Sequence, residues 1–126
     1  MLEPAVIVSK QGSVGFLTLN NPPMNPIGVA QVMALEQLLP VLAADKSVRA
    51  IVIKGESIDE GEATHFSVGA NLQEAHIAEE VGPNKFVEQR IQLFNQIATM
   101  EKPIIAAIQG YCLGVVWSWP WRAIFA

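Results

Sequence analysis

The chain has 126 residues, a formal net charge of −4 and one cysteine, Cys112. Its eight basic residues are scattered, which argues against a nucleic-acid partner. One cysteine excludes an internal disulfide framework and a multi-cysteine zinc site, and fits a reducing compartment. With no basic-then-apolar leader and no run near the roughly 18 apolar residues of a spanning helix, the expectation is a soluble, cytoplasmic domain with one core.

Val6–Lys10 and Val14–Asn20 read as two short strands around Gln11-Gly12-Ser13, with Leu17 and Leu19 alternating against Phe16, Thr18 and Asn20. Asn21-Pro22-Pro23 stops the pairing. Asn25 is the predicted cap of a helix whose first residue is Pro26, where a missing N–H costs nothing. Ile27, Ala30, Met33 or Ala34, Leu38, Val41 and Leu42 then recur at helical spacing to about Ala44. Val48–Lys54 is a buried strand, so a parallel βαβ unit is predicted. Gly55 to His65 reads as a polar loop, Phe66 to Leu72 as a compact turn, and Leu72 to Glu80 as a short helix. Asn84 to Met100 is a second amphipathic helix with Phe86, Val87, Ile91, Phe94 and Ile97 on one side, and Ile104–Ile108 returns as a strand. The order is α/β, without an internal repeat.

Metal chemistry has no foothold: His65 and His76 are the only histidines, and neither has a ligand spacing with Cys112 or the acids. Structural or solvent roles are expected for both. Cys112 lacks a histidine partner and reads as a small buried hydrophobe rather than a nucleophile. No phosphate-cradling glycine fingerprint occurs. Two glycine turns remain, Phe66 to Leu72 and Gln109 to Gly114. Backbone N–H groups converging from two such turns make an oxyanion hole for charge developing on a carbonyl oxygen. The competing reading, two ordinary loop turns, is the one the glycine pattern alone favours.

Phe66-Ser67-Val68-Gly69-Ala70-Asn71-Leu72-Gln73-Glu74, followed by Lys102-Pro103-Ile104-Ile105-Ala106-Ala107-Ile108-Gln109-Gly110-Tyr111-Cys112-Leu113-Gly114, resembles the enoyl-CoA hydratase/isomerase (crotonase) family. Asn21-Pro22-Pro23-Met24-Asn25 and Val48 to Gly55 are similar to that family's N-terminal half. The spelling is closest to the N-terminal part of multifunctional fatty-acid β-oxidation proteins. The resemblance implies a fold of repeated ββα units and acyl-CoA thioester substrates, with no cofactor because coenzyme A is part of the substrate. It implies an oligomeric intact protein of the lyase class. By this similarity the Ala70 N–H is one oxyanion donor, the N–H of Val115 after the Gly114 turn is the second, and Val68, Gly69, Ala70, Asn71 and Leu72 line the coenzyme A. Three departures stand out. Asn71 replaces a usual Asp, Val68 a smaller residue, and Ser118 the first catalytic Glu; the chain also stops short of the position of the second.

The tail from Val115 carries all three tryptophans, Trp117, Trp119 and Trp121, at alternate positions. Trp has one codon, TGG, so these residues fix the DNA beneath them. Read one base earlier, the final G of Trp117 with the AG of an AGC or AGT serine gives Glu, and the next codon gives Leu. The final G of Trp119 with the CC of Pro120 gives Ala, and that of Trp121 with CG gives Ala again. With the valines, the recovered string is Gly-Gly-Leu-Glu-Leu-Ala-(Leu, Met or Val)-Ala, which continues the family pattern and restores Glu at position 118. The expectation is therefore residues 1–114 of a partial hydratase/isomerase domain and an out-of-frame tail, 115–126, that leaves the chain inactive. Two alternatives are a non-catalytic acyl-CoA-binding or interaction module whose tryptophans form an edge strand or interfacial anchor, and another reaction of the same family: isomerase, decarboxylase or hydrolase. Sequencing the locus tests the frameshift. The frameshift predicts homologous coding DNA in the shifted frame downstream of the Gly114 codon, and its absence would refute it.

Overall fold

The computed structural model describes residues 3–58, 63–71, 74, 80, 82–114 and 122–125. The strands β1 (Val6–Gln11), β2 (Val14–Leu19), β3 (Ala50–Gly55), β4 (Ile104–Ile108) and β5 (Arg122–Phe125) lie in one sheet in sequence order. β1 and β2 form an antiparallel hairpin, and each later neighbour is parallel. Parallel neighbours need long crossovers. Helix α1 (Val29–Ala44) supplies the one from β2 to β3, and α2 (Pro83–Thr99) the one from β3 to β4. This is the α/β order and the βαβ unit expected from the sequence.

Register explains which face is core. Leu17 lies beside Ile53 and Ile53 beside Ala106; Gly15 lies beside Ile51 and Ile51 beside Ile104. The large residues of this row are buried. A Cβ on Gly15 would meet a Leu42 methyl of α1 at 3.2 Å, so this is the face the helices cover. Phe16, Val52 and Ile105, pointing the other way, are only half-buried. A slip of one residue would turn the whole buried row outward, which is why the register is well determined.

Three sequence expectations change here. Helix α1 starts at Val29 after Gly28, not at an Asn25 cap with Pro26 in its first turn. Asn25 is buried and left-handed, with φ 49°. Its side chain is already committed: Oδ1 accepts the Asn21 N–H at 3.0 Å, and Nδ2 donates to the carbonyls of Glu56 (3.0 Å) and His65 (2.8 Å). Second, the inward face of α1 is Val32, Leu35, Leu39 and Leu42, while Met33 (51%) and Val41 (62%) are exposed. Apolar residues run almost all round this helix, so spacing alone offered two stripes. Third, α2 turns Leu93 and Ile97 inward, with Phe94 partly buried, and leaves Val87 and Ile91 exposed. The Phe86 side chain and the short helix expected over Leu72 to Glu80 lie outside the described residues, apart from Glu74 and Glu80.

The carboxyl end of α1 is finished from a distance. Lys102 Nζ donates to the carbonyls of Leu42 and Asp45, each at 2.7 Å. This satisfies helix-end acceptors with a cation where the helix dipole is negative, and it fixes the entry into β4. In the tail, β5 pairs Arg122–Phe125 with Ile105–Ile108. The tryptophans, which only the alternative reading places in an edge strand or interfacial anchor, lie outside the described residues. Among the described residues no helix is long and apolar enough to cross a membrane.

Asn25 ties three loop segments together, so its loss leaves buried backbone groups unpaired. Asn25→Ala is expected to lower unfolding free energy by about 2–3 kcal/mol. Asn25→Gly loses the same side-chain hydrogen bonds but relieves the left-handed backbone, so it should recover a minor part of that loss. Urea denaturation midpoints of the two variants check this.

Candidate oxyanion site

The first turn is built on Ser67. Its buried hydroxyl donates to the Asn25 carbonyl at 2.7 Å and accepts the Gly69 N–H at 3.0 Å. Ile27 then pairs in parallel with Ala70: the Ile27 N–H donates to the Gly69 carbonyl (2.7 Å), and the Asn71 N–H to the Ile27 carbonyl (2.9 Å). In parallel pairing these two bonds straddle the opposite residue, whose own N–H faces the other way. Ala70 is that residue. It is exposed, and its N–H has no acceptor among the described residues.

The second turn is zipped onto the first. The Phe66 N–H donates to the Gln109 carbonyl (2.8 Å), Ser67 N–H to the Tyr111 carbonyl (3.0 Å), and Leu113 N–H to the Ser67 carbonyl (3.0 Å). The chain reaches Gly114 directly beside Ala70. A Cβ on Gly114 would lie 3.4 Å from Gly69 Cα and 4.0 Å from the Ala70 nitrogen, and one on Gly69 would press to 2.8 Å from the Leu113 carbonyl. Both glycines have positive φ, 99° and 65°. At Gly69 (φ 99°) close backbone approach and positive φ together require glycine, whereas at Gly114 (φ 65°) the left-handed φ alone favours it.

Val68, Gly69, Ala70 and Asn71 thus lie together beside Gly114. Val68 and Asn71 are half-buried and Gly69 is buried. Leu72, Val115 and Ser118 lie outside the described residues, so the second donor and the position of the expected catalytic carboxylate do too. An exposed N–H held by a rigid turn suits a carbonyl oxygen that gains negative charge, because its orientation costs nothing at the moment of reaction.

One residue of the site escaped sequence reasoning. Glu74 Oε2 accepts the Val29 N–H at 2.9 Å, and the Glu74 N–H donates to the Asn71 carbonyl at 3.1 Å. Its carboxylate therefore caps α1, where Gly28 has no side chain to do so, and holds the far end of the Val68–Asn71 turn against that helix. A negative charge at a helix N-terminus is favoured. Arg90 on α2 lies close enough to feel Glu74: burial lowers its pKa, and the Glu74 charge acts in the opposite direction. No local signal announces a cap supplied from 45 residues away.

The other candidates take structural places. Burial pushes the Cys112 thiol pKa up, and the side chain packs against the core, which suits a small hydrophobe and not a thiolate nucleophile. His65 is half-buried and stacked on Tyr111, with centroids 4.7 Å apart; His76 lies outside the described residues. Among the described residues no three His, Cys, Asp or Glu side chains group to hold a metal. A polar cleft of about 240 Å³ opens near the ends of β3 and β4, against Lys54, Glu56, Ser57 and Thr64. It shares Phe66 and Gln109 with the zipped turns, but neither Ala70 nor Gly114 lines it. The converging turns, not this cleft, define the candidate site.

The sequence and the fold match known proteins. The profile of the enoyl-CoA hydratase/isomerase family fits residues 9–115. The chain is 37% identical over 110 residues to 2,3-dehydroadipyl-CoA hydratase of Escherichia coli (strain K12), covering 86% of this chain and 40% of that protein. It is 33% identical over 102 residues to the peroxisomal bifunctional enzyme of Danio rerio, covering 81% of this chain and 12% of that protein. Pseudomonas aeruginosa DspI superposes with a TM-score of 0.76 at 27% identity, over 89% of this chain and 44% of that one. The chain belongs to the enoyl-CoA hydratase/isomerase family. It spans about two fifths of the length of the first curated relatives it matches.

Gly69→Ala tests the close approach. The new Cβ meets the Leu113 carbonyl and a left-handed backbone, so it should cost about 1–3 kcal/mol in stability. The Leu113 amide, bonded to Ser67, should lose hydrogen-exchange protection before the β2–β3 pairing does.

Proposed function

We propose that this chain is the front part of an acyl-CoA hydratase-type enzyme whose intact form hydrates 2-enoyl-CoA thioesters in fatty-acid β-oxidation. The observation that carries the reading is the outward Ala70 N–H set beside the Gly114 turn by the pairing of the two glycine-containing segments. In the proposed reaction, water oxygen bonds to the β-carbon and the thioester carbonyl takes up the electron pair as an enolate. Ala70 N–H and the N–H of residue 115 hold that oxygen, and the α-carbon then gains a proton. A carboxylate activates the water, and coenzyme A enters only as part of the substrate. The location proposed is the cytoplasm, in keeping with the single cysteine.

The chain as it stands is proposed to be inactive. Ser118 occupies the expected position of the first Glu, and the family profile stops matching one residue beyond Gly114. Both support a shifted frame from Val115 onward. A β-branched valine also resists the left-handed conformations that glycine allows in such a turn. One observation favours the second reading, a non-catalytic acyl-CoA-binding or interaction module: Arg122–Phe125 adds a strand to the sheet, which ties the tail to the fold.

Crotonyl-CoA hydration by the purified chain is expected to stay at the uncatalysed rate. Turnover of about 1 s⁻¹ or faster would overturn the inactivity. Restoring the shifted-frame sequence after Gly114, with the homologous continuation, should bring activity back. Saturable binding of acetoacetyl-CoA by the unaltered chain, without turnover, would favour the binding module.

A further inference from the structure

The pairing between the two turns is irregular. From Phe66, bonded to Gln109, to Ser67, bonded to Tyr111, one side advances one residue and the other two. Such a bulge leaves an extra residue outside the ladder, and a left-handed glycine is its usual partner; Gly110 has φ 59°. The displaced donor is the Tyr111 N–H. It is taken by a side chain, His65 Nδ1, at 3.1 Å, while the imidazole stacks on the Tyr111 ring with planes 15° apart. His65 also contributes its own carbonyl to Asn25 Nδ2, so the residue is anchored from behind. A Cβ on Gly110 would collide with His65 Nδ1, which leaves the imidazole filling the space over the bulge.

We propose that His65 is a positioning residue for the oxyanion site: its Nδ1 completes the bulge at Gly110–Tyr111 and so sets where Gly114 stands relative to Ala70. The claim that this matters for acyl-thioester binding rests on the function proposed above. The bulge claim itself does not. His65 touches no reacting atom and works through the turn.

Two variants of the full chain separate the hydrogen bond from the stacking. His65→Phe keeps a ring for Tyr111 but has no acceptor, whereas His65→Asn keeps an acceptor at the Nδ1 position without the ring. Amide hydrogen exchange followed by NMR should show the Tyr111 and Leu113 amides exchanging roughly 3- to 10-fold faster in His65→Phe, the loss expected for one modest hydrogen bond. In His65→Asn they should stay within about twofold of the parent. Equal exchange in His65→Phe and the parent, or exchange in His65→Asn as fast as in His65→Phe, would overturn the proposal. If His65→Phe does not fold, His65→Gln replaces it, since its amide reaches the Nε2 position and misses the Tyr111 N–H. Calorimetry with acetoacetyl-CoA adds the functional arm: binding should weaken in His65→Phe and be retained in His65→Asn. Where the unaltered chain binds no acetoacetyl-CoA, the comparison is made in the chain restored after Gly114; no binding there sinks the functional reading, while the exchange data still decide the role of His65.

Discussion

Three backbone hydrogen bonds, joining Phe66 and Ser67 to Gln109, Tyr111 and Leu113, are the constraint on which the site depends. They link segments more than forty residues apart in the chain and hold them so close that a Cβ on Gly69 would lie 3.3 Å from the Gly114 Cα. Neither turn could aim an N–H usefully alone. Joined, they hold the Ala70 N–H, which has no acceptor among the described residues, facing away from the pairing with Ile27. Preorganisation of this kind is what makes a backbone amide an effective partner for developing negative charge.

The rest of the fold supplies the anchoring. Parallel β3 and β4 end side by side, so the segments that leave them start as neighbours. Asn25 binds backbone groups from three segments and places its own carbonyl for the Ser67 hydroxyl. Glu74 closes the other end of the first turn on the N-terminus of α1, and Lys102 ties the C-terminus of that helix to the start of β4. One helix thus carries at its two ends the attachments of both glycine segments. Its hydrophobic face against β1, β2 and α2 keeps them in place, since truncating one of its buried leucines to alanine costs about 2–5 kcal/mol.

Much of this was legible in the residues. The alternation around Leu17 and Leu19, the run Val48 to Lys54 and the return at Ile104 were enough for the strands, because period and β-branching are local properties. Their parallel order followed from the helices between them. The helix faces were not legible: α1 is apolar on nearly every side, so Met33 and Val41 looked as suitable for the core as Val32 and Leu39. Asn25 looked like a helix cap because Asn before Pro is a common helix start, and only its three distant partners show otherwise. The glycine turns were readable as candidate donors, and the resemblance of their spelling to one family picked out Ala70.

What the sequence by itself determined is therefore the strands β1 to β4 with their two helices, the family, and the two glycine turns proposed to carry the chemistry. Each is written in residue types at short spacing. The tertiary structure decided which residues serve them: Glu74 as cap, Lys102 as clamp, His65 as acceptor at a bulge. These roles depend on where a side chain finds an unpaired backbone group far along the chain, and that position exists only once the sheet has set the register.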